Sequence, residues 1–310
     1  MAITQHNLKA DLRMAHMLSQ EIRLLLADST SLRNTPFMNL VGSINGLGSD
    51  TIRTRRAGLD GYDAAQWSSF TGATEADAVG DTALSDTAYD VVVKRRALAY
   101  AISDMASMDG LGSGDLNPFR IAESIAKSYD GMFADLTADA MAGFTNVQGG
   151  AGAVLTVDRF VTGIARLENV SGKNVPGPYV CVLHPKNWGE LQDSIRAETG
   201  AVMYNPATYE AISAKGSNYK GSFLGVEIYT SSYVTNDGAD NLGAMWAPDA
   251  MGYAIGAPQI VGAAQVMDMD QVTIEFSRDA TKALTRVIGH AYLGLSVIDD
   301  DRGCIIKSAV

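Results

Sequence analysis

The sequence predicts an α+β fold organised around a single long helix. Three observations carry that prediction: an apolar stripe from Asn117 to Phe144, strand-like runs on both sides of it, and an acidic stretch bracketed by two such runs. In the stripe, Phe119, Ile121, Ala122, Ile125, Tyr129, Met132, Phe133, Leu136, Ala140, Met141 and Phe144 recur at three- and four-residue steps. That spacing places them on one side of a helix. Asn117 caps the free N–H groups, and Pro118 sits where a missing donor does no harm. Glu123, Lys127, Asp130, Asp135 and Asp139 form the polar side, and Gly149-Gly150 closes the pattern. At helical rise the element is about 40 Å long, a spine for an elongated molecule. Gly131 stands in its middle and costs roughly 1 kcal/mol against Ala.

The chain has 310 residues, 46% hydrophobic and 19% charged, which suits a globular protein of two domains. A net charge of −11 excludes a basic nucleic-acid-binding module as a whole but leaves room for a local basic face. The two cysteines, Cys181 and Cys304, are expected to be reduced thiols of a cytoplasmic protein. No apolar run reaches the roughly eighteen residues of a membrane span. The N-terminus lacks the basic and apolar pattern of a secretory signal.

Residues 6–27 read as an amphipathic helix, with Leu8, Leu12, Leu18, Ile22 and Leu26 on one side and Lys9, Arg13 and Arg23 on the rest. Such a terminal helix serves as a docking arm or a cap. Thr51 to Arg56 alternates, and Ala88 to Arg96 is β-branched; both are strands. Between Ala57 and Val93 there is no Lys or Arg, whereas Asp60, Asp63, Glu75, Asp77, Asp81, Asp86 and Asp90 are acidic. The segment reads as a projecting two-stranded loop with Trp67 and Phe70 as anchors, or as a plain acidic surface loop. Leu98 to Met108 is expected to be a short helical or strand-to-helix piece before the glycine hinge Gly110 to Gly114.

After the spine, Thr156 caps a second helix with Val157, Phe160, Val161, Ile164 and Leu167 inward. Tyr179 to Leu183 is a continuous apolar run, the pattern of a strand buried on both faces. Pro185 opens a third helix bearing Trp188, Leu191 and Ile195. Residues 198–221 read as loop. Strands follow at Gly225–Tyr229, Leu242–Trp246, Gly252–Gly256, Gln271–Phe276, Leu284–Ser296 and Cys304–Lys307, with a turn at Asn236-Asp237-Gly238.

Chemistry is sparse. His6, His16, His184 and His290 are scattered, and none has a Glu or second His at helical spacing. Neither Cys neighbours a His or forms a Cys-x-x-Cys pair. The glycine clusters at Gly46 and Gly110 lack a Walker lysine. Asp299-Asp300-Asp301 offers hard oxygen ligands without the alternation of a calcium loop, and reads as an acidic turn. No catalytic, metal or cofactor site is expected.

The order of these elements resembles a tailed-bacteriophage major capsid protein of the Hong Kong 97-type fold, which encapsulins share. Three stretches carry the resemblance: the return strand into Ala99-Tyr100-Ala101-Ile102-Ser103-Asp104, the spine after Asn117-Pro118, and Val182-Leu183-His184-Pro185 with Trp188-Gly189-Glu190-Leu191. It implies an N-terminal arm at 1–42, an extended loop at 43–97, a peripheral domain at 98–150 and 259–310, and an axial domain at 151–258. It implies self-assembly into pentamers and hexamers of an icosahedral shell around double-stranded DNA, in a virion assembled in the host cytoplasm. A separate scaffolding protein, a portal and a decoration protein are the implied partners. Arg53, Arg55, Arg56, Lys94, Arg95 and Arg96, at the base of the acidic loop, are candidates to receive a neighbour's loop. Lys9, Arg13, Arg23, Arg120 and Lys127 are candidates to face packaged DNA without sequence preference. The loop has no Lys, so a lysine–asparagine crosslink from it is not expected. The rival readings are an encapsulin shell and a soluble α/β enzyme with its site at 180–260.

Overall fold

A computed structural model describes residues 38–44, 49–57, 86–103, 118–169, 175, 177–197, 204–256, 265–267 and 272–310. Side chains are described for these residues except 55–57, 86–87, 118–120, 122, 265–267, 272–274 and 276. The arm at 6–27, the loop tip with Trp67 and Phe70, and the glycine hinge lie outside the described residues.

The spine is present as α1 (Pro118–Met141), and it spans two sheets. The first sheet contains β1 (Met38–Ser43), β4 (Lys94–Ser103), β11 (Met251–Ile255), β12 (Gln265–Met267), β13 (Val272–Asp279) and β14 (Leu284–Val297). β14 is its axis. Its residues Leu284–Leu293 pair with β4 along one edge. Along the other edge it takes β13 and then β11, end to end. The second sheet runs β5 (Val147–Gln148), β15 (Gly303–Ala309), β10 (Asp240–Trp246), β6 (Tyr179–Leu183), β9 (Val226–Thr230), β8 (Tyr219–Phe223) and β7 (Tyr204–Pro206). A separate antiparallel ladder joins β2 (Thr51–Ala57) to β3 (Asp86–Val92).

The side-chain period of each element explains the layering. The first half of α1 buries Ile121, Ile125, Ala126 and Tyr129 on Val287 and Ala291, with Leu98, Tyr100 and Ile102 packed beside them. Its second half buries Ala134, Ala138 and Met141 against Val180, Val182, Tyr229 and Trp246 of the second sheet. Along β6, alternate residues go to opposite faces. Val180 and Val182 therefore meet α1, while Cys181 and Leu183 meet α2 (Val157–Glu168) and α3 (Pro185–Ala197). Each large side chain removed from water here contributes about 1.5–3 kcal/mol. Thr156 caps α2, accepting from the Arg159 N–H.

Three local expectations change. Of Leu98–Met108, read as helical or strand-to-helix, Leu98–Ser103 is strand and 104–108 lie outside the described residues: Leu98, Tyr100 and Ile102 turn inward and Ala97, Ala99, Ala101 and Ser103 outward, a period of two that the alanines disguise. Residues 204–223 contain β7, β8 and a short helix α4 (Tyr209–Lys215), which Thr208 caps by accepting from Ala211 N–H. Val161 lies on the solvent side of α2, with Phe160, Gly163 and Leu167 buried. Among the described residues no helix is long and apolar enough to cross a membrane.

Candidate subunit interface

The two-stranded loop leaves the body where β3 passes into β4. Val91 and Val93 are buried there with Ala254, beside Val41, Ile44, Ile52 and Tyr292. Val93 N–H donates to the Asp50 carbonyl at 2.8 Å, which closes the neck. Gly294 of β14 passes so close that a Cβ on it would lie 2.2 Å from the Val92 carbonyl oxygen. A side chain there has nowhere to go, so the loop root needs this glycine.

Among the described side chains, the basic residues at that root do not form one patch. Arg53 faces Asp90 across the ladder and donates to both its oxygens, Nε to Oδ1 at 2.8 Å and Nη2 to Oδ2 at 2.9 Å. These bonds hold the Asp90 carboxyl below its ordinary range and raise the Arg53 guanidinium. Arg53 is therefore engaged within its own loop. Arg55 and Arg56 lie on β2 opposite Ala88 and Thr87, with side chains outside the described set. Lys94 and Arg95 are exposed, whereas Arg96 is half-buried beside α1. Neighbouring strand residues point to opposite faces, so Arg95 and Arg96 cannot act together.

Arg95 leads to a group that the sequence did not single out. Its Nη2 lies 3.3 Å from Nδ1 of His290, and Nε2 of His290 lies 3.0 Å from Oε2 of Glu275. Arg has no acceptor, so Nδ1 accepts and the Nε2–H donates to Glu275. His290 is buried and joins β13, β14 and β4 in one line. No sequence spacing announces this trio, because strand register brings it together. On α1, Lys127 is paired with Glu123 at 2.5 Å, on a side that also bears Asp135. Arg120 lies on the first turn with its side chain outside the described set, as are Lys9, Arg13 and Arg23 entirely.

No protein-family model matches the chain, and no curated protein does. Solved structures do. The chain is similar to the capsid of the cyanophage P-SCSP1u, with a TM-score of 0.57, 14% identity, and 91% of this chain and 89% of that one covered. It is similar to the capsid of a native GTA particle at 0.58 and 13%, covering 91% and 90%. The encapsulin complex of Synechococcus elongatus gives 0.62 and 10%, covering 88% and 85%. This chain has the Hong Kong 97-type fold.

Within the Hong Kong 97-type fold, the groups that could have hosted chemistry hold the structure together. Nδ1 of His184 accepts from the Lys186 N–H at 3.3 Å, and burial lowers its basicity. Cys181 and Cys304 flank Met245 in register and are free. Burial raises both thiols, Cys304 to about 11, so neither is a ready nucleophile. The acidic turn disperses its carboxylates. Asp299 pairs with Arg302 at 2.9 Å, and Asp300 accepts from the Thr145 N–H at 2.7 Å. Among the described residues no three His, Cys, Asp or Glu side chains are grouped for a metal.

Proposed function

We propose that this chain is the major capsid protein of a tailed phage, assembling into the pentamers and hexamers of an icosahedral shell around double-stranded DNA. The observation that carries this reading is correspondence along nearly the whole path, 91% of this chain and 90% of a capsid chain in one comparison. The rooted β2–β3 ladder supports it, since a projecting arm gives one subunit reach over another. The proposed division is an arm at 1–42, a loop at 43–97, a peripheral domain at 98–150 and 259–310, and an axial domain at 151–258. Sheet membership crosses those bounds: β1 and β11 belong to the first sheet, and β5 and β15 join the second. A structural, non-enzymatic role is part of this reading, supported by the likeness to capsid chains. Scaffolding, portal and decoration proteins and packaged DNA would be its partners in a virion assembled in the host cytoplasm.

The TM-score of 0.62 to an encapsulin favours a second reading, a cellular compartment shell. Electron microscopy and light scattering of the purified chain test both. Capsomers or closed particles of megadalton mass support a shell, and a homogeneous monomer even with a scaffolding protein supplied rejects it. Nuclease-protected DNA inside particles from infected cells separates a phage shell from one filled with a cargo enzyme.

A further inference from the structure

Between α1 and the adjoining parts of β4 and β14 lies a recess of about 240 Å³. Leu98, Ile125, Tyr129 and Met132 line it, so it is largely apolar. One cation breaks that lining. Arg96 borders the recess, and its Nε is buried with no hydrogen-bond acceptor among the described residues. A buried N–H without an acceptor is destabilising, so an incoming acceptor would be favoured. The occupant that answers both features is a large aromatic ring, which fills the apolar volume and meets a guanidinium face to face. It must also bring an oxygen acceptor with it.

The sequence contains one stretch of that description. Trp67 lies in the segment between Ala57 and Val93, which has no Lys or Arg, and Asp60, Asp63, Glu75 and Asp77 flank it. The seven-residue ladder β2–β3 leads away from Arg96, with Thr51 opposite Val92 at the root and Ala57 opposite Asp86 at the far end. At strand rise those six steps span about 20 Å. The far end of the ladder is thus set apart from the recess at its own root, which favours a second copy as the source of the loop. We propose that the recess between α1, β4 and β14 receives Trp67 of a second copy of this chain, with Arg96 against the ring. The proposal rests on the shell-forming reading above and assigns to it a specific anchor.

Two cysteine variants test it. Ser128 is exposed and lines the recess. Separately purified Trp67→Cys and Ser128→Cys proteins, mixed, assembled and oxidised, should give a covalent dimer on a non-reducing gel. Neither variant alone should give that band, and the buried Cys181 and Cys304 do not interfere. Assembled particles without the band overturn the anchor and leave the shell reading standing. A band obtained instead from Phe70→Cys with Ser128→Cys overturns the choice of Trp67. Arg96→Gln provides the second arm: it should keep the fold and raise the critical assembly concentration about tenfold. An unshifted concentration also overturns the anchor, whereas a wild-type chain that never assembles rejects the shell reading itself.

Discussion

Arg53 and Asp90 bind each other through two parallel bonds of 2.8 and 2.9 Å across the β2–β3 ladder. One of the cations expected to receive a neighbour's acidic loop is thereby held inside its own. The bridge depresses the Asp90 carboxyl, so its support is present above the unfolded carboxylate value of about 3.9 and fades as pH falls through the lower folded value. Hydrogen-exchange protection along β2–β3, taken relative to the intrinsic rate at each pH, should fall in that acid window and stay level there in Asp90→Asn. Both side chains are exposed, so 1 M salt should blunt the effect. Acid-insensitive protection in the wild type would remove the role given to this bridge.

His290 offers a test of the buried line through the first sheet. His290→Phe keeps a ring of similar breadth but removes the bonds to Glu275 and Arg95. Leaving those partners unmet should cost about 1–3 kcal/mol in urea denaturation. Glu275→Gln retains an acceptor for Nε2–H and should lose less.

Gly294→Ala should be damaging out of proportion to one methyl group. The new Cβ would meet the Val92 carbonyl oxygen at 2.2 Å and its carbon at 2.7 Å, both backbone atoms. The strand must shift, at about 1–3 kcal/mol. The displaced element is the loop root, so particle yield should fall more steeply than the melting temperature. Equal losses would mean that the root angle is irrelevant to assembly.

Gly131 has a partner in Tyr233, whose hydroxyl would lie 2.6 Å from a Cβ at that position. Gly131→Ala alone should gain little, because the helical preference for Ala is offset by moving the tyrosine. In a Tyr233→Ala background the same change should stabilise by about 1 kcal/mol. A double-mutant cycle read by thermal unfolding checks this, and additive effects would show that the contact carries no energy.

Much of the fold was legible because burial leaves a period in the sequence. The stripe Ile121, Ile125, Tyr129 and Phe133 announced α1, and the run Tyr179–Leu183 announced a strand covered on both faces. The pieces left open or read as loop had weak periods. Ala97, Ala99 and Ala101 are good helix formers, so only their larger neighbours Leu98, Tyr100 and Ile102 carried the strand signal. The short helix at Tyr209–Lys215 buries no residue fully, and so left no stripe to read.

The sequence by itself determined most element types, the cap at Thr156 and the helix start at Pro185, and a cation-free loop between two strands, since all of these depend on neighbours a few residues apart. Only the tertiary structure decided which cations remain available at the loop root. Arg53 meets Asp90 37 residues away, and Arg95 meets His290 195 residues away. Strand register sets such contacts, and a slip of one residue would turn each side chain to the other face.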